Sequence, residues 1–321
     1  MPRKDLGSDS MASKPIHLSD WIKRTLKAEP PRSKSLIVTI LGDSVSPYAS
    51  GIWLSDLIEL LAPFQVNERL VRTSCFRLAE EGWLESQRAG RRSRYAFTRS
   101  GGQRVQHAHQ RIYNPPSADW DGDWTFVVLS KTPNAVAERA ELRRELEWEG
   151  FGLLAPGIFI HPNADPAMVR ETLAQLHLTE RAIVLKARDL DQVSARPISS
   201  LIGECWDLEE IAAHYTAFLK HFAPLLPSLC ESATIPPQTA FVAQTLVIHA
   251  FRRATLHDPR LPAAMLPRDW PGHAAYELCR AVYLQTFKLT RQYLADHLEE
   301  ASHGKLTPTR EFRSRLGGIE P

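Results

Sequence analysis

The stretch NERLVRTSCFRLAEEGWLESQRAGRRSRYAFT, residues 67–98, decides the fold of the first third of the chain. Asn67 can cap a helix through its side-chain oxygen, Glu68 favours the positive end of the helix dipole, and Gly82 suits the residue that ends a helix. The stretch therefore predicts a helix over residues 68–81. Two short strands, 83–88 and 93–98, then flank the sequence AGRR, which predicts a hairpin with a basic tip.

Arginine is concentrated here and falls on one side of the predicted helix. Residues 67–99 hold eight arginines and four glutamates. With successive residues about 100° apart, the inward side carries Leu70, Val71, Ser74 and Leu78. The opposite side carries Arg69, Arg72, Thr73, Phe76 and Glu80. Arginine can donate two hydrogen bonds to guanine, and threonine and phenylalanine can touch thymine methyl groups, so this side predicts contact with DNA bases.

The elements before this helix complete a known DNA-binding arrangement. Residues 33–42 form an apolar run that fits a first helix or a buried strand, and residues 52–61 have helical spacing up to Pro63. Three helices followed by a hairpin predict a winged helix-turn-helix whose tip lies against phosphate or the minor groove. The predicted residues that contact double-stranded operator DNA are Arg69, Arg72, Thr73, Phe76, Arg77, Arg88, Arg91, Arg92 and Arg94.

Composition sets the broad class of the protein. The 321 residues suit two or three domains, and 43% hydrophobic and 24% charged residues with a net charge of +2 are typical of soluble globular proteins. The four cysteines, 75, 205, 230 and 279, lack zinc-site spacing and are expected to be reduced thiols, mostly buried. The start of the chain has no secretory signal and no apolar run is long enough to span a bilayer, which predicts a cytoplasmic protein without membrane contact.

The later parts of the chain predict two further modules. Strand-like runs at 124–130, 157–161 and 181–186 alternate with helical segments at 134–149 and 165–176, which predicts a ferredoxin-like α/β module. Helical spacing at 208–222, 239–253 and 274–294 predicts a bundle that buries a dimer contact or encloses a pocket.

The fold class is therefore α+β, with five predicted parts. They are a disordered leader (1–31), a winged-helix DNA-binding domain (32–102), a linker (103–121), a ferredoxin-like central domain (122–192) and a helical effector and dimerisation domain (193–321).

Several motifs resemble the PaaX-like family of bacterial repressors of phenylacetic acid degradation. The motifs are VRTSCFRLAEEGWL (71–84), RYAFT (94–98), WTFVVL (124–129), LRRELEWEGFG (142–152), APGIFIHP (155–162), DPRLP (258–262) and LPRDWPG (266–272). The resemblance runs from about Ser33 to about Arg291. It implies a homodimeric repressor, not an enzyme, that leaves its operator when phenylacetyl-CoA or a related aryl-acyl-CoA binds as effector.

The central module of this family is similar in fold to a small CRISPR-associated nuclease, which places an acidic metal ligand at the end of its first strand. Here Leu129, Ser130 and Lys131 occupy that end, while Asp121 and Asp123 precede the strand. We therefore expect a scaffold for dimerisation that holds no metal and no cofactor.

Candidate effector residues lie in the last domain. Arginine forks suit the phosphates of coenzyme A, and aromatic rings can form walls for an aryl group, although core packing or a surface position explains each residue alone. The candidates are Arg252, Arg253, Arg260, Arg268, Trp270 and Tyr276.

Two alternatives stay open. The sequence ILGDSV before residue 46 imitates the nucleophile block of GDS-type esterases, with Ser44 as nucleophile. Such a serine needs a histidine base with an orienting carboxylate. No histidine follows an aspartate by three positions, and Asp269 and His273 are one residue too far apart. The other alternative is a winged-helix module that contacts protein instead of DNA.

Overall fold

The computed structural model describes residues 17–115, 119–130, 135–188, 197–298 and 309–319. The first part contains four helices and a small antiparallel sheet, with strand order β1-β3-β2. Its elements are α1 (Leu18–Ala28), α2 (Ser33–Ile40), a π-helical turn (Leu41–Val45), β1 (Ile52–Trp53), α3 (Leu54–Leu61), a 3-10 turn (Ala62–Phe64), α4 (Glu68–Glu80), β2 (Leu84–Ala89) and β3 (Arg92–Phe97).

Helix α1 corrects the prediction of a disordered leader. Residues 1–16 lie outside the described part of the chain, but Leu18–Ala28 is helical. The helix forms because Leu18, Trp21 and Leu26 are all buried at helical spacing. The Trp21 ring lies 5.5 Å from the ring of Phe222. The first helix thus packs on the C-terminal part of the chain and belongs to its core.

Helix α4 begins and ends close to the predicted residues. The side chain of Asn67 accepts a hydrogen bond from the Leu70 amide at 2.9 Å, and Gly82 follows the helix with a φ of 73°. The prediction that Leu70 faces inward was wrong, because its side chain is 44% exposed. The buried side is centred instead on Val71, Ser74, Cys75 and Leu78, which leaves Leu70 at its edge.

The segment before α4 differs at one point from the prediction. The helix predicted over residues 52–61 begins at Leu54, because Ile52 pairs with Tyr95 and Trp53 pairs with Arg94 in the sheet. Of the two structures left open for residues 33–42, the chain forms a helix.

The central part has a four-stranded antiparallel sheet with strand order β5-β6-β4-β7 and two helices. Its elements are β4 (Asp123–Leu129), α6 (Ala135–Trp148), β5 (Gly152–Ala155), β6 (Ile158–His161), α7 (Pro166–Gln175) and β7 (Ala182–Arg188). The sequence did not predict β5, which is four residues long and joined to β6 by a tight turn at Gly157, whose φ is 85°. Val127, Leu142 and Phe159 are fully or almost fully buried between the sheet and the helices.

The C-terminal part is helical, as predicted. Its elements are α8 (Ile198–Cys205), α9 (Leu208–Phe222), α10 (Leu225–Glu231), α11 (Pro237–Thr255), a 3-10 turn (Ala263–Met265), α12 (Gly272–His297), α13 (Arg310–Ser314) and a final 3-10 turn (Arg315–Gly317). Among the described residues, no helix is both long and apolar enough to cross a bilayer. Of the four cysteines, Cys75 and Cys279 are buried, Cys205 is half-buried and Cys230 is exposed.

The N-terminal and C-terminal parts share one hydrophobic core. Leu36 on α2, Val71 on α4 and Phe241 on α11 belong to the same buried cluster. Helix α5 (Arg99–Tyr113) occupies much of the segment predicted as a linker, and it is ordered because Val105, Ile112 and Tyr113 are buried. Helix α4 is exposed on one side. Its other side packs against a core that continues into the C-terminal bundle.

Candidate nucleic-acid interface

The outward side of α4 presents the side chains that the sequence predicted. Arg69, Arg72, Thr73 and Arg77 are exposed, and the large apolar side chain of Phe76 is 60% exposed. A single exposed hydrophobic side chain is common on protein surfaces, so Phe76 supports a contact surface only together with the exposed arginines beside it. The Thr73 hydroxyl donates to the backbone oxygen of Arg69 at 2.9 Å.

Arg72 is held by a neighbouring carboxylate. Its Nε and Nη2 atoms donate to Glu68 Oε1 at 2.8 and 2.7 Å, one helical turn away. Both side chains are more than half exposed, so water and salt weaken this pair. The pair is therefore weak, and a stronger acceptor can replace Glu68.

The inward side of α4 is fixed to α2 and to the hairpin. The hydroxyl groups of Ser33 and Ser74 share a hydrogen bond of 2.7 Å, and Lys34 pairs with Glu81. The Thr98 hydroxyl donates to the Gly82 oxygen at 2.6 Å, which ties the end of the hairpin to the end of α4.

The hairpin has a two-residue turn, because Ala89 pairs with Arg92 across it. Gly90 has a φ of 61°, a conformation that favours glycine. Arg88 and Arg91 are exposed. Arg91 alone occupies the second turn position, at the tip of the hairpin.

The other two predicted hairpin arginines are directed back towards β1. The Arg92 guanidinium lies 4.1 Å from the centre of the Trp53 ring, and Arg94 donates to the Ser50 hydroxyl at 3.0 Å. These contacts involve residues 39 and 44 positions away in sequence, so local pattern could not predict them.

The six predicted effector residues do not all come together: Arg260 and Tyr276 line one cavity of about 20 Å³, and the other four are not in its lining. Arg252 donates to the Ser35 hydroxyl at 2.9 Å, next to α2. Arg260 donates to the backbone oxygens of Gln110, Asn114 and Pro115 and so joins the 258–262 loop to the end of α5. Arg253 and Arg268 are exposed.

Of the two predicted aromatic walls, Trp270 lies edge-on to Tyr215, with ring centres 6.0 Å apart. Tyr276 donates to the backbone oxygen of Tyr113 at 3.3 Å. Both therefore contribute to packing in this structure.

The acidic residues near the position of a nuclease-like metal site form ion pairs. Lys186 contacts Asp121 and Asp123 at 2.9 and 3.0 Å, and its hydrogen bonds lower the pKa of both carboxyl groups. Lys131 lies outside the described residues, and Ser130 donates to the Arg181 backbone oxygen at 2.8 Å. Within the described ranges, no three histidine, cysteine or carboxylate side chains are grouped as metal ligands.

The proposed esterase nucleophile is not placed for catalysis. Ser44 lies in the π-helical turn with 2% exposure, and its hydroxyl donates to Asp43 Oδ2 at 3.2 Å. A buried hydroxyl that donates to a buried carboxylate has no access to an ester substrate, so the structure gives no support to the esterase alternative.

Sequence reasoning missed the residues around Asp43, which the C-terminal segment contacts. Arg315 Nη1 lies 3.2 Å from Asp43 Oδ1, and both side chains are almost fully buried. The two residues are 272 positions apart, and no local pattern in the sequence indicates that they meet.

These features define a mixed α/β protein with an arginine-rich helix and hairpin face beside a four-stranded central domain. Three family models match, namely PaaX-like protein over residues 32–101, PaaX protein central Cas2-like domain over 117–198 and PaaX-like protein C-terminal domain over 206–296. The chain belongs to the PaaX-like family.

A curated relative agrees with this assignment, and a solved structure is similar in fold. The chain is 34% identical over 304 residues to "Transcriptional repressor PaaX" of Escherichia coli (strain K12), covering 94% of this chain and 95% of that protein. It is also similar in fold to an uncharacterized protein of Mycobacterium tuberculosis, with a TM-score of 0.51, 24% identity, and coverage of 80% of this chain and 96% of the other.

Proposed function

We propose that the protein is a DNA-binding transcriptional repressor of phenylacetate catabolism. The observation that carries the proposal is the exposed side of α4, where arginines and Phe76 face solvent while the opposite side is sealed in the core. The relative named as a transcriptional repressor supports the same function. We assign the protein no catalytic activity.

The first domain is interpreted as a winged helix-turn-helix, with α4 as recognition helix and β2–β3 as wing. In the major groove, Arg72 exchanges Glu68 for the O6 and N7 atoms of a guanine. Phe76 and the exposed Leu70 lie beside thymine methyl groups. Arg91 at the wing tip contacts phosphate or the minor groove and adds affinity that does not depend on sequence.

The central domain, interpreted as ferredoxin-like, supplies the dimer contact. Among the strands of the described residues, β7 is at the edge of its sheet, and Ile183, Val184 and Leu185 on it are 59%, 43% and 49% exposed. An exposed apolar edge strand invites pairing with another strand. Two copies that pair their β7 strands antiparallel satisfy a two-fold axis, which presents two recognition helices to an inverted repeat.

Release from the operator depends on an aryl-acyl-CoA, for which phenylacetyl-CoA is the first candidate. The effector must bind better to a conformation in which the two winged domains no longer match the half-site spacing, because only differential affinity shifts the equilibrium. The coupling acts through the core that the winged domain shares with the C-terminal helices.

A gel-shift titration with phenylacetyl-CoA tests this function. We expect the protein to retard an operator fragment and the effector to release it in a concentration-dependent way. Unchanged retardation at saturating phenylacetyl-CoA would exclude that effector. If heparin retains the protein only weakly and the protein does not elute in a graded way with salt, the protein-contact alternative is favoured over DNA binding.

A further inference from the structure

A cleft of about 320 Å³ lies between Ser46 and Pro47, which directly follow the π-helical turn, the second half of α5 and the segment 309–315. Tyr113, Phe312 and Arg315 form its buried floor, and the amide side chains of Gln106 and Gln110 line its exposed rim. Three separate parts of the chain meet there: the end of α2, the helix that follows the hairpin, and the C-terminal segment.

Two of the floor residues also hold the buried carboxylate of Asp43. Tyr113 donates to Asp43 Oδ1 at 2.5 Å, and Arg315 Nη1 donates to the same oxygen at 3.2 Å. Tyr283 and Gln244 complete the shell, each at 3.2 Å. Burial, and next the charge of Asp43, raise the pKa of Tyr113, so its hydroxyl stays protonated and remains a donor.

Asp43 connects this floor to the recognition helix. It lies in the π-helical turn that continues α2, and such turns are frequent at functional sites. Helix α2 packs on α4 and shares the Ser33–Ser74 hydrogen bond with it. A ligand that moves Tyr113 or Arg315 therefore alters the contacts that hold the end of α2, and through α2 the placement of α4.

The lining indicates the chemistry of the ligand. Among the described residues that line the cleft there is no carboxylate, and the charge of Arg315 is already paired with Asp43 behind the floor, so the guanidinium serves here as a hydrogen-bond donor. The edges of Tyr113 and Phe312 offer apolar contact, and the rim amides can donate and accept hydrogen bonds. The volume is at the lower end of ligand pockets, which span about 300–1,000 Å³, so it suits a small ligand or one end of a larger one.

We propose that this cleft binds the aryl-acyl group of the effector and that Asp43 relays its occupancy to α4. The inference rests on the proposed function, since it locates the effector of that same repressor. A free aryl carboxylate and the acyl end of its coenzyme A thioester share the aryl ring and an acceptor oxygen but differ in charge, and the experiment separates them.

A larger cavity of about 820 Å³ lies beside α8, but its charge disfavours an anionic ligand. Its lining includes Glu204, Asp207 and Glu209, and no arginine or lysine among the described residues. It contacts none of the elements that hold α4. Ser199, an exposed residue of its lining, provides a comparison position.

The test introduces one tryptophan into the lining of each cavity, in the full-length protein. Gln110→Trp blocks the rim of the proposed cleft. Gln103→Trp is its matched control, because Gln103 is an exposed glutamine on the same helix outside the lining. Ser199→Trp fills the larger cavity. For each protein, calorimetry measures binding of phenylacetyl-CoA and of phenylacetate, fluorescence anisotropy measures operator release, and circular dichroism checks the fold.

We expect Gln110→Trp to weaken ligand binding by about tenfold or more, which corresponds to about 1.4 kcal/mol. It should still bind the operator, and both control variants should behave like the unmodified protein. The ligand is the compound that binds the unmodified protein and binds Gln110→Trp about tenfold more weakly or not at all. Undiminished binding to Gln110→Trp, loss only in Ser199→Trp, or no binding of either compound to the unmodified protein would overturn the inference. Absence of operator binding by the unmodified protein would instead overturn the proposed function.

Discussion

At the residue scale, the face of α4 could be predicted because helical periodicity is a local property. The exposed positions of Arg69, Arg72 and Phe76 follow from spacing alone. The position of Leu70 did not follow, because whether the edge of a helix is covered depends on neighbours far away in sequence. The stacking of Arg92 on Trp53 could not be predicted from the sequence for the same reason.

Arg72 is the residue whose loss should weaken sequence recognition most specifically. We expect Arg72→Ala to weaken operator binding by about 1–3 kcal/mol and to relax the preference at one base pair. Arg143→Ala is the matched control, since Arg143 has the same kind of exposed pair with Glu147, at 2.6 Å on α6. Anisotropy titrations on operator and single-substitution fragments measure both effects. Equal affinity of Arg72→Ala for the fragments that differ at one base pair, with the preference kept at the others, would confirm the role, and an unchanged base preference at every position would contradict it.

Arg91 should act through phosphate. We expect Arg91→Ala to weaken binding to operator and unrelated DNA alike and to reduce the slope of log K against log salt by about 1. Arg144→Ala, which removes an exposed arginine on α6, should leave the slope unchanged. A loss by Arg91→Ala on operator DNA only would contradict the phosphate role.

Replacing Arg92 tests a different contact. Arg92→Ala should lower the free energy of unfolding by about 0.5–1 kcal/mol, because it removes the contact with the Trp53 ring.

At the element scale, helices with clear caps were predicted well and short strands were not. Asn67 and Gly82 mark both ends of α4 in the sequence, whereas β1 and β5 have two and four residues and acquire their structure only from pairing. The edge position of β7 follows from strand order, which the sequence does not encode locally.

The cap of α4 offers a test of that helix as the binding element. Asn67→Ala should lower stability by about 1 kcal/mol, because the Leu70 amide loses its acceptor, and the loosened first turn should weaken operator binding. Asp165→Ala removes the equivalent cap of α7, where the side chain accepts from Ala167 at 2.8 Å. It should cost similar stability in urea unfolding and leave operator affinity intact. Equal effects of the two variants on operator affinity would argue against a special role of α4.

Strand β7 carries the prediction for the dimer. Ile183→Lys should shift the protein towards monomer in sedimentation equilibrium, because it places a charge in the apolar edge of the proposed contact. Leu284→Lys is the control, since Leu284 on α12 is also an exposed large hydrophobic residue. A dimer that persists unchanged in Ile183→Lys would exclude pairing through this strand.

At the scale of the whole molecule, the three parts meet where α5 ends. Arg111 donates to the backbone oxygens of Trp148 and Asp258, and His161 contacts the Pro259 backbone oxygen at 3.1 Å. The sequence indicated separate domains and a linker, because hydrophobic periodicity marks each element but not which elements share a core. The shared core and this junction explain how a ligand event can reach α4.

The junction should make stability depend on pH. Burial lowers the pKa of His161 from 6.5 to about 4, so the unfolded chain binds a proton on this residue between these pH values and the folded chain does not. Stability from this residue is complete above pH 6.5 and is lost as pH falls to about 4, by about 1.4 kcal/mol per pH unit. In urea unfolding from pH 7 to 4, His161→Gln should lose less stability than the unmodified protein. His273→Gln, at an exposed histidine, should follow the unmodified protein. Parallel curves for all three would contradict the assignment.

The measurement that tests the central claim most directly is footprinting of the promoters of phenylacetate degradation genes, with and without phenylacetyl-CoA. The account predicts two protected half-sites whose centres are one helical turn, about 34–36 Å, or a multiple of it apart. It also predicts that protection disappears when phenylacetyl-CoA is added and when Arg69, Arg72 and Arg77 are replaced together by alanine. Protection that survives this triple replacement, or none in any promoter, would contradict it.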